Sequence, residues 1–261
     1  MNLNLTGKNA LVCGSTQGIG YAAAMELAEL GANVFFLARN EERLQAAVRE
    51  ASARGDGHHR YFTADFGQPS QVREVAATIA KDHTVHILIN NTGGPPGGQA
   101  IGAGIEEFRT AFNQHLINNQ QLVQALVPGM REAGYGRIIN VISTSVKQPL
   151  NNLGVSNTIR GAVANWSKTL ANELGADNIT VNNVLPGATA TARLDSIIAN
   201  KAAKTGQSQD DVHAAMAGAV PMKRVGQPEE VGQTIAFLAS PAASYINGIN
   251  LPVDGGRTAC L

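Results

Sequence analysis

Ala10-Leu11-Val12-Cys13 is a short apolar run; Gly14, Gly18 and Gly20 follow within seven residues, and Tyr21 to Leu27 continue as an alanine-rich amphipathic segment. In order, these read as a strand, a tight loop and the start of a helix. A loop of this kind constrains its surroundings. Glycine lets the backbone approach an anion with no Cβ in the way, and the helix behind it turns unpaired N–H groups and the positive end of its dipole toward that anion. The spacing is Gly-x-x-x-Gly-x-Gly rather than the commoner Gly-x-Gly-x-x-Gly. A glycine triplet alone carries little weight, so the neighbouring segments decide its meaning.

Those segments alternate between strand and helix. After Gly31 the run Asn33–Ala38 closes a strand–helix–strand unit of about thirty residues, which implies parallel pairing. Residues 41–54 read as helix, 59–64 as a third strand, 69–81 as a helix opened by Pro69, and 86–90 as a fourth strand. Thr92 to Gly98 is the stretch richest in glycine and proline. It reads as a structured loop at a strand's carboxyl end rather than a domain linker, because the alternation resumes beyond it without a change of composition. A long helix over 105–132, bent near Pro128, precedes a fifth strand at 137–143, a helix at 155–174, a sixth strand at 179–184 and a last strand at 249–253. Residues 191–222 are polar, alanine-rich and helical in pattern, an insertion that would suit a substrate lid. The expected architecture is α/β: a seven-stranded, mostly parallel, doubly wound sheet with helices on both faces.

A length of 261 residues with 44% hydrophobic content suits one domain spanning 1–261. Lys plus Arg and Asp plus Glu both number 20, so no basic field is available for nucleic acid or an anionic membrane. The two cysteines, Cys13 and Cys260, are too few for a disulfide framework or a cysteine metal site, which fits a reducing cytoplasm. The start of the chain lacks a basic segment followed by a long apolar stretch, and no run reaches the roughly 18 apolar residues of a membrane span.

Six marks in order, Gly14 to Gly20, Asp65-Phe66, Asn90-Asn91-Thr92-Gly93, the strand from Gly136 to Ser143, Pro186 to Thr191 and Val253-Asp254-Gly255-Gly256, resemble the short-chain dehydrogenase/reductase family over essentially the whole chain. The 3-oxoacyl-carrier-protein reductases are the broad relatives it looks most like. The resemblance implies a Rossmann-type fold and a nicotinamide cofactor. It assigns Gly14, Ser15, Thr16, Gln17, Gly18, Ile19 and Gly20 to the pyrophosphate, Asp65 to the adenine ring, Asn91 to the adenosine side and Thr189 with Thr191 to the nicotinamide amide, and it counts Phe66, Pro186 and Gly187 among the cofactor-binding residues. The plainer roles are that Asp65 ends a strand and that Asn90 and Asn91 tie the sheet together. At the end of the second strand an NAD enzyme usually places Asp or Glu, whereas Arg39-Asn40 stands here; a guanidinium suits a 2′-phosphate, so NADP(H) is favoured over NAD(H). The plainer reading of Arg39 is a solvated surface charge.

The family's active site is Asn, Ser, Tyr and Lys, and only the serine, Ser143, is kept. Ser156 stands at the tyrosine position, Arg160 at the lysine position and His115 at the asparagine position; the four tyrosines, Tyr21, Tyr61, Tyr135 and Tyr245, are all out of register. A serine hydroxyl is too weak an acid to replace tyrosine, so Ser156 can orient an oxygen but hardly protonate it. Arg160 can bind the cofactor ribose and stabilise a developing alkoxide without giving up a proton. Two titratable candidates for the acid remain: Lys147, if burial or Arg160 lowers its pKa, and His115, whose free pKa lies near neutrality. Against these stand a solvent-exposed loop cation and a buried core histidine.

The expected activity is NADP(H)-dependent hydride transfer on a carbonyl/alcohol pair, 3-oxoacyl-reductase-like, with a small-molecule substrate and no metal. Reduction of an activated C=C, and dinucleotide binding without turnover by a sensor or interaction protein, are the alternatives. The resemblance also implies a homotetramer or homodimer packed through helices 105–132 and 155–174. The lid from Ala192 to Met222 shows no cluster of basic residues that would select a phosphopantetheine or a carboxylate.

Overall fold

The apolar runs become β1 (Asn9–Cys13), β2 (Asn33–Ala38), β3 (Arg60–Thr63), β4 (Ile87–Asn90), β5 (Gly136–Val141), β6 (Ile179–Pro186) and β7 (Asn250–Val253) in the computed structural model, which describes residues 1–260. Between them lie α1 (Gly18–Glu29), α2 (Glu41–Ser52), α3 (Pro69–Asp82), α4 (Ile105–Phe112), α5 (Asn118–Glu132), α6 (Gly154–Leu174), α7 (Ala192–Thr205), α8 (Gln209–Gly218) and α9 (Pro228–Ala239). The seven strands form one sheet in the order β3-β2-β1-β4-β5-β6-β7, with every pairing parallel.

Parallel strands covered on both faces read as continuous apolar runs rather than alternating ones. Successive residues supply opposite cores. Val12, Phe36, Ile89 and Ile139 pack on the face that carries α1, α2 and α9. Leu11, Phe35, Leu88 and Ile138 pack on the face that carries α3, α5 and α6. Burying a side chain such as Phe36 completely contributes about 1.5–3 kcal/mol.

Polar pairing reinforces the second half of the sheet. Asn90, Asn140, Asn183 and Asn250 stand in register on β4 to β7 and hand side-chain amide hydrogen bonds from strand to strand at 2.8, 3.0 and 2.8 Å. Asn90 is thus a sheet-tying residue.

Two elements depart from the sequence reading. The helix expected over 105–132 runs through Pro128 but is broken by a π-helical turn at Asn113–Ile117, where a wider five-residue spacing carries His115 into the interior. The second is α9, which the sequence reading passed over. Its signal is present: Pro228, Glu229 and Glu230 open it, and Val231, Ile235 and Leu238 recur at helical spacing. A Cβ on Gly232 would lie 2.9 Å from the Ala22 carbonyl carbon, so α9 and α1 meet backbone to backbone.

The chain winds outward from β1 through β2 to β3, then returns to place β4 on the other side of β1. That reversal opens a crevice beyond the carboxyl ends of β1 and β4, where open parallel sheets bind ligands.

Candidate functional site

A cleft of about 1850 Å³ occupies that crevice and runs across the carboxyl edge of the sheet to α7. It exceeds the roughly 300–1,000 Å³ of a drug-sized pocket, which leaves room for an extended ligand and a second molecule. Every cofactor residue read from the sequence lines it apart from Ser15 and Gly20.

Those two shape the loop from behind. The Ser15 hydroxyl, fully buried, accepts from the Leu37 backbone N–H at 3.0 Å and so ties the loop to β2. Gly14 sits at φ +59°, and a Cβ there would lie 2.7 Å from the Asn91 carbonyl oxygen. A Cβ on Gly20 would collide with the Gly14 carbonyl. Asn91 completes the staple, its amide donating to the carbonyls of Cys13 at 3.2 Å and Gly14 at 3.3 Å. On the far side of the loop, the Thr191 methyl would lie 3.1 Å from a Cβ on Gly18, itself at φ +57°. At its three glycines the loop leaves no space for a side chain.

At the end of β2, Arg39 is exposed and lines the cleft. Arg43, which the sequence reading did not single out, joins it from the first turn of α2 and donates to Gln17 Oε1 at 3.1 Å. No carboxylate in the cleft lining stands beside them; the only one, Asp65, lies at the end of β3 and accepts from the Gly67 N–H at 2.8 Å. Two guanidiniums without an acid fit a 2′-phosphate. Thr189 and Thr191 close the opposite side. The Thr189 hydroxyl donates to the Gly187 carbonyl at 3.2 Å, and the Thr191 hydroxyl caps α7 by accepting from the Leu194 N–H at 3.4 Å.

Ser143, Ser156 and Arg160 are brought together in the lining of the same cleft, whereas Lys147 and His115 are outside it. Ser143 Oγ accepts from the Ser145 N–H at 3.1 Å, which leaves its proton free to donate to a substrate oxygen. Arg160 lies one turn beyond Ser156 on α6, is 7% exposed, and donates to the Val141 carbonyl at 3.1 Å. Burial, then the charge of Arg193, push its guanidinium down to about 10, so it stays a cation at neutral pH.

His115 is not poised near neutrality. At 1% exposure, burial followed by the positive charge of Arg160 pushes its imidazole down to about 2, against a smaller opposing effect of a Gly93 backbone hydrogen bond. It is a neutral group with Nε2 free of any protein partner, and it has no acidic proton to give at neutral pH. No tyrosine, histidine, cysteine or glutamate stands in the cleft lining, so this end has charge and hydroxyls but no acid of the usual kind.

The lid differs from its sequence reading. Residues 191–222 do contain two helices, but Arg193, Lys201 and Lys204 all face the cleft from α7, with Arg257 nearby. They looked unclustered along the chain. Helical spacing stacks positions 193, 197, 201 and 204 on one face.

The family model described as Enoyl-(Acyl carrier protein) reductase matches residues 14–258. The chain is 33% identical over 257 residues to a 3-oxoacyl-[acyl-carrier-protein] reductase of Vibrio cholerae, covering 97% of this chain and 98% of that one. It is 30% identical over 256 residues to an NADPH-dependent reductase of Bacillus subtilis, covering 97% and 98%. Among solved structures, the L-sorbose reductase of Gluconobacter frateurii, complexed with NADPH and L-sorbose, is similar with a TM-score of 0.94 at 31% identity and full coverage of both chains.

Proposed function

The chain belongs to the short-chain dehydrogenase/reductase family, and on that premise we propose that it is an NADP(H)-dependent oxidoreductase acting on a carbonyl/alcohol pair through an altered active site. When bound, the cofactor supplies or accepts the hydride. The observation that carries this reading is one cleft with a glycine loop closed to a Cβ at Gly14 and Gly20 and two guanidiniums without an acid at one end and Ser143, Ser156 and Arg160 at the other.

In this reading the loop from Gly14 to Ile19 holds the pyrophosphate, and Arg39 with Arg43 the 2′-phosphate. Asp65, Phe66 and Asn91 serve the adenosine side, and Pro186, Gly187, Thr189 and Thr191 the nicotinamide end. Ser143 and Ser156 donate hydrogen bonds to the substrate oxygen, and water supplies the proton that completes the alcohol. Arg160 faces the negative charge that develops on that oxygen, the kind of preorganised stabilisation whose removal costs about 10²–10³ in rate. Helices α7 and α8 act as a substrate-side lid on a single domain. We place the protein in the cytoplasm as a homotetramer or homodimer joined through α5 and α6. No helix among the described residues is long and apolar enough to cross a membrane.

The missing acid favours a second reading, reduction of an activated C=C. There the oxygen needs only stabilisation, which Arg160 gives, and the final proton goes to carbon from water.

Purified protein with NADPH and a panel of ketones and enones, followed by loss of NADPH absorbance, tests both. Turnover that Ser143→Ala lowers supports the enzyme, and the substrate reduced chooses between the two reactions. Tight NADPH binding with no turnover across the panel would overturn both readings in favour of a dinucleotide-binding sensor.

A further inference from the structure

The cleft concentrates charge in a protein that has none overall. The formal net charge is zero, yet the lining of the cleft holds seven Lys and Arg side chains and one carboxylate, Asp65, at the adenine end. Arg39 and Arg43 are accounted for by the cofactor's 2′-phosphate. Arg160, Arg193, Lys201 and Lys204 stand at the other end, and no ion pair among the described residues involves any of them.

Two of these converge. Arg193 is held by a 2.7 Å hydrogen bond from Nη2 to the Pro95 carbonyl, and Arg160 by its bond from Nη1 to the Val141 carbonyl. A Cβ on Gly94 would lie 3.7 Å from Arg160 Nη2 and 3.9 Å from Arg193 Nη2. One backbone carbonyl thus fixes each guanidinium while the remaining N–H groups stay free, with no side chain at residue 94 to separate them. Like charges this close repel, and Arg193 does lower the proton affinity of Arg160. An anion relieves that arrangement, and the protein supplies none at this end of the cleft.

From Arg193 the cationic face continues along α7 through Ile197 to Lys201 and Lys204. At 1.5 Å per residue these lysines lie roughly 12 and 17 Å farther along the helix. The helix begins at Thr191 against Gly18 of the phosphate loop, so the stripe leads away from the pyrophosphate, toward the outer part of the cleft.

We propose that the substrate is an anionic carbonyl compound, an oxo acid or a phosphorylated ketone, whose carboxylate or phosphate is gripped by Arg193 and guided in along Lys201 and Lys204, with Arg160 beside it at the reacting oxygen. The proposal rests on the oxidoreductase reading above and names its substrate class. Arg193 is then the specificity-determining residue, and its planar fork suits the two oxygens of a carboxylate or phosphate.

The test uses the protein–NADPH complex and needs no turnover. Dicarboxylates from malonate to adipate, their neutral diamides and inorganic phosphate are titrated calorimetrically, in the wild type, in Arg193→Gln and in Lys201→Gln/Lys204→Gln. The expected result is that at least one dianion binds about tenfold or more tighter than its diamide, that Arg193→Gln removes that difference, and that the lysine pair reduces it, while NADPH affinity stays within about twofold. A preference for dicarboxylate marks an oxo acid, and one for phosphate marks a phosphorylated ketone. Equal binding of acids and amides overturns the proposal; so does a loss of NADPH affinity in Arg193→Gln that matches the loss of anion binding, because these cations would then serve the cofactor. A complex that binds the anion yet reduces no oxo acid or phosphorylated ketone refutes the oxidoreductase reading and leaves the anion site standing.

Discussion

At the β1–β4 end of the cleft the backbone shapes the site: three glycines, a buried serine and an asparagine staple leave a surface of N–H groups with no room for variation. At the β5–α6 end side chains shape it: Ser143, Ser156 and Arg160 line the cleft. The difference teaches where a cleft can change. A Cβ added at Gly14 or Gly20 has nowhere to go, whereas Ser156 and Arg160 reach the cleft from α6, where a different side chain meets open space rather than backbone. The shape of the one end is therefore set by the backbone, and the chemistry of the other by which side chains stand there.

The most severe break in this contrast is a side chain in the cradle. Gly14→Val combines positive φ with a Cβ 2.7 Å from the Asn91 carbonyl, and NADPH affinity measured by fluorescence titration is expected to fall about a hundredfold or more. At the other end, Arg160→Met removes a buried cation that has no acid partner. The expected result is a loss of about a hundredfold in kcat/KM with no loss of Tm, a split that a purely structural arginine would not give. Arg39→Asp tests the cofactor end more gently. NADPH should bind about tenfold to a hundredfold more weakly while NADH is unaffected, and equal effects on both cofactors would remove Arg39 from the 2′-phosphate.

The smallest effect is a pH dependence of stability. His115 is held far below its unfolded value of 6.5, so the unfolded chain binds the extra proton across that window and stability rises with pH until it is complete above about 6.5. As pH falls below that point the protein should lose at most about 1.4 kcal/mol per unit from this residue, and His115→Asn should flatten the decline of Tm on acidification. An unchanged acid limb in the variant would show that the imidazole is not the buried neutral group described here.

The seven-stranded parallel sheet and the glycine loop before α1 were readable along the chain, because each rests on residues close in sequence. The π-turn was not, since the periodicity of 105–132 permits a regular helix and only packing against the interior selects the wider turn at 113–117. Arg43 was overlooked for a similar reason: its place beside Arg39 depends on how α2 leaves β2.

By itself the sequence determined a parallel α/β sheet and a glycine loop between its first strand and first helix, because these follow from local backbone preference and residue identity. Only the tertiary structure decided that His115 is neutral, since its proton affinity is set by burial and by Arg160. The same holds for Arg193, Lys201 and Lys204, ordinary surface charges along the chain that become one cationic wall because α7 lies over the cleft. Electrostatic character belongs to the space between residues, and the chain acquires that space only by folding.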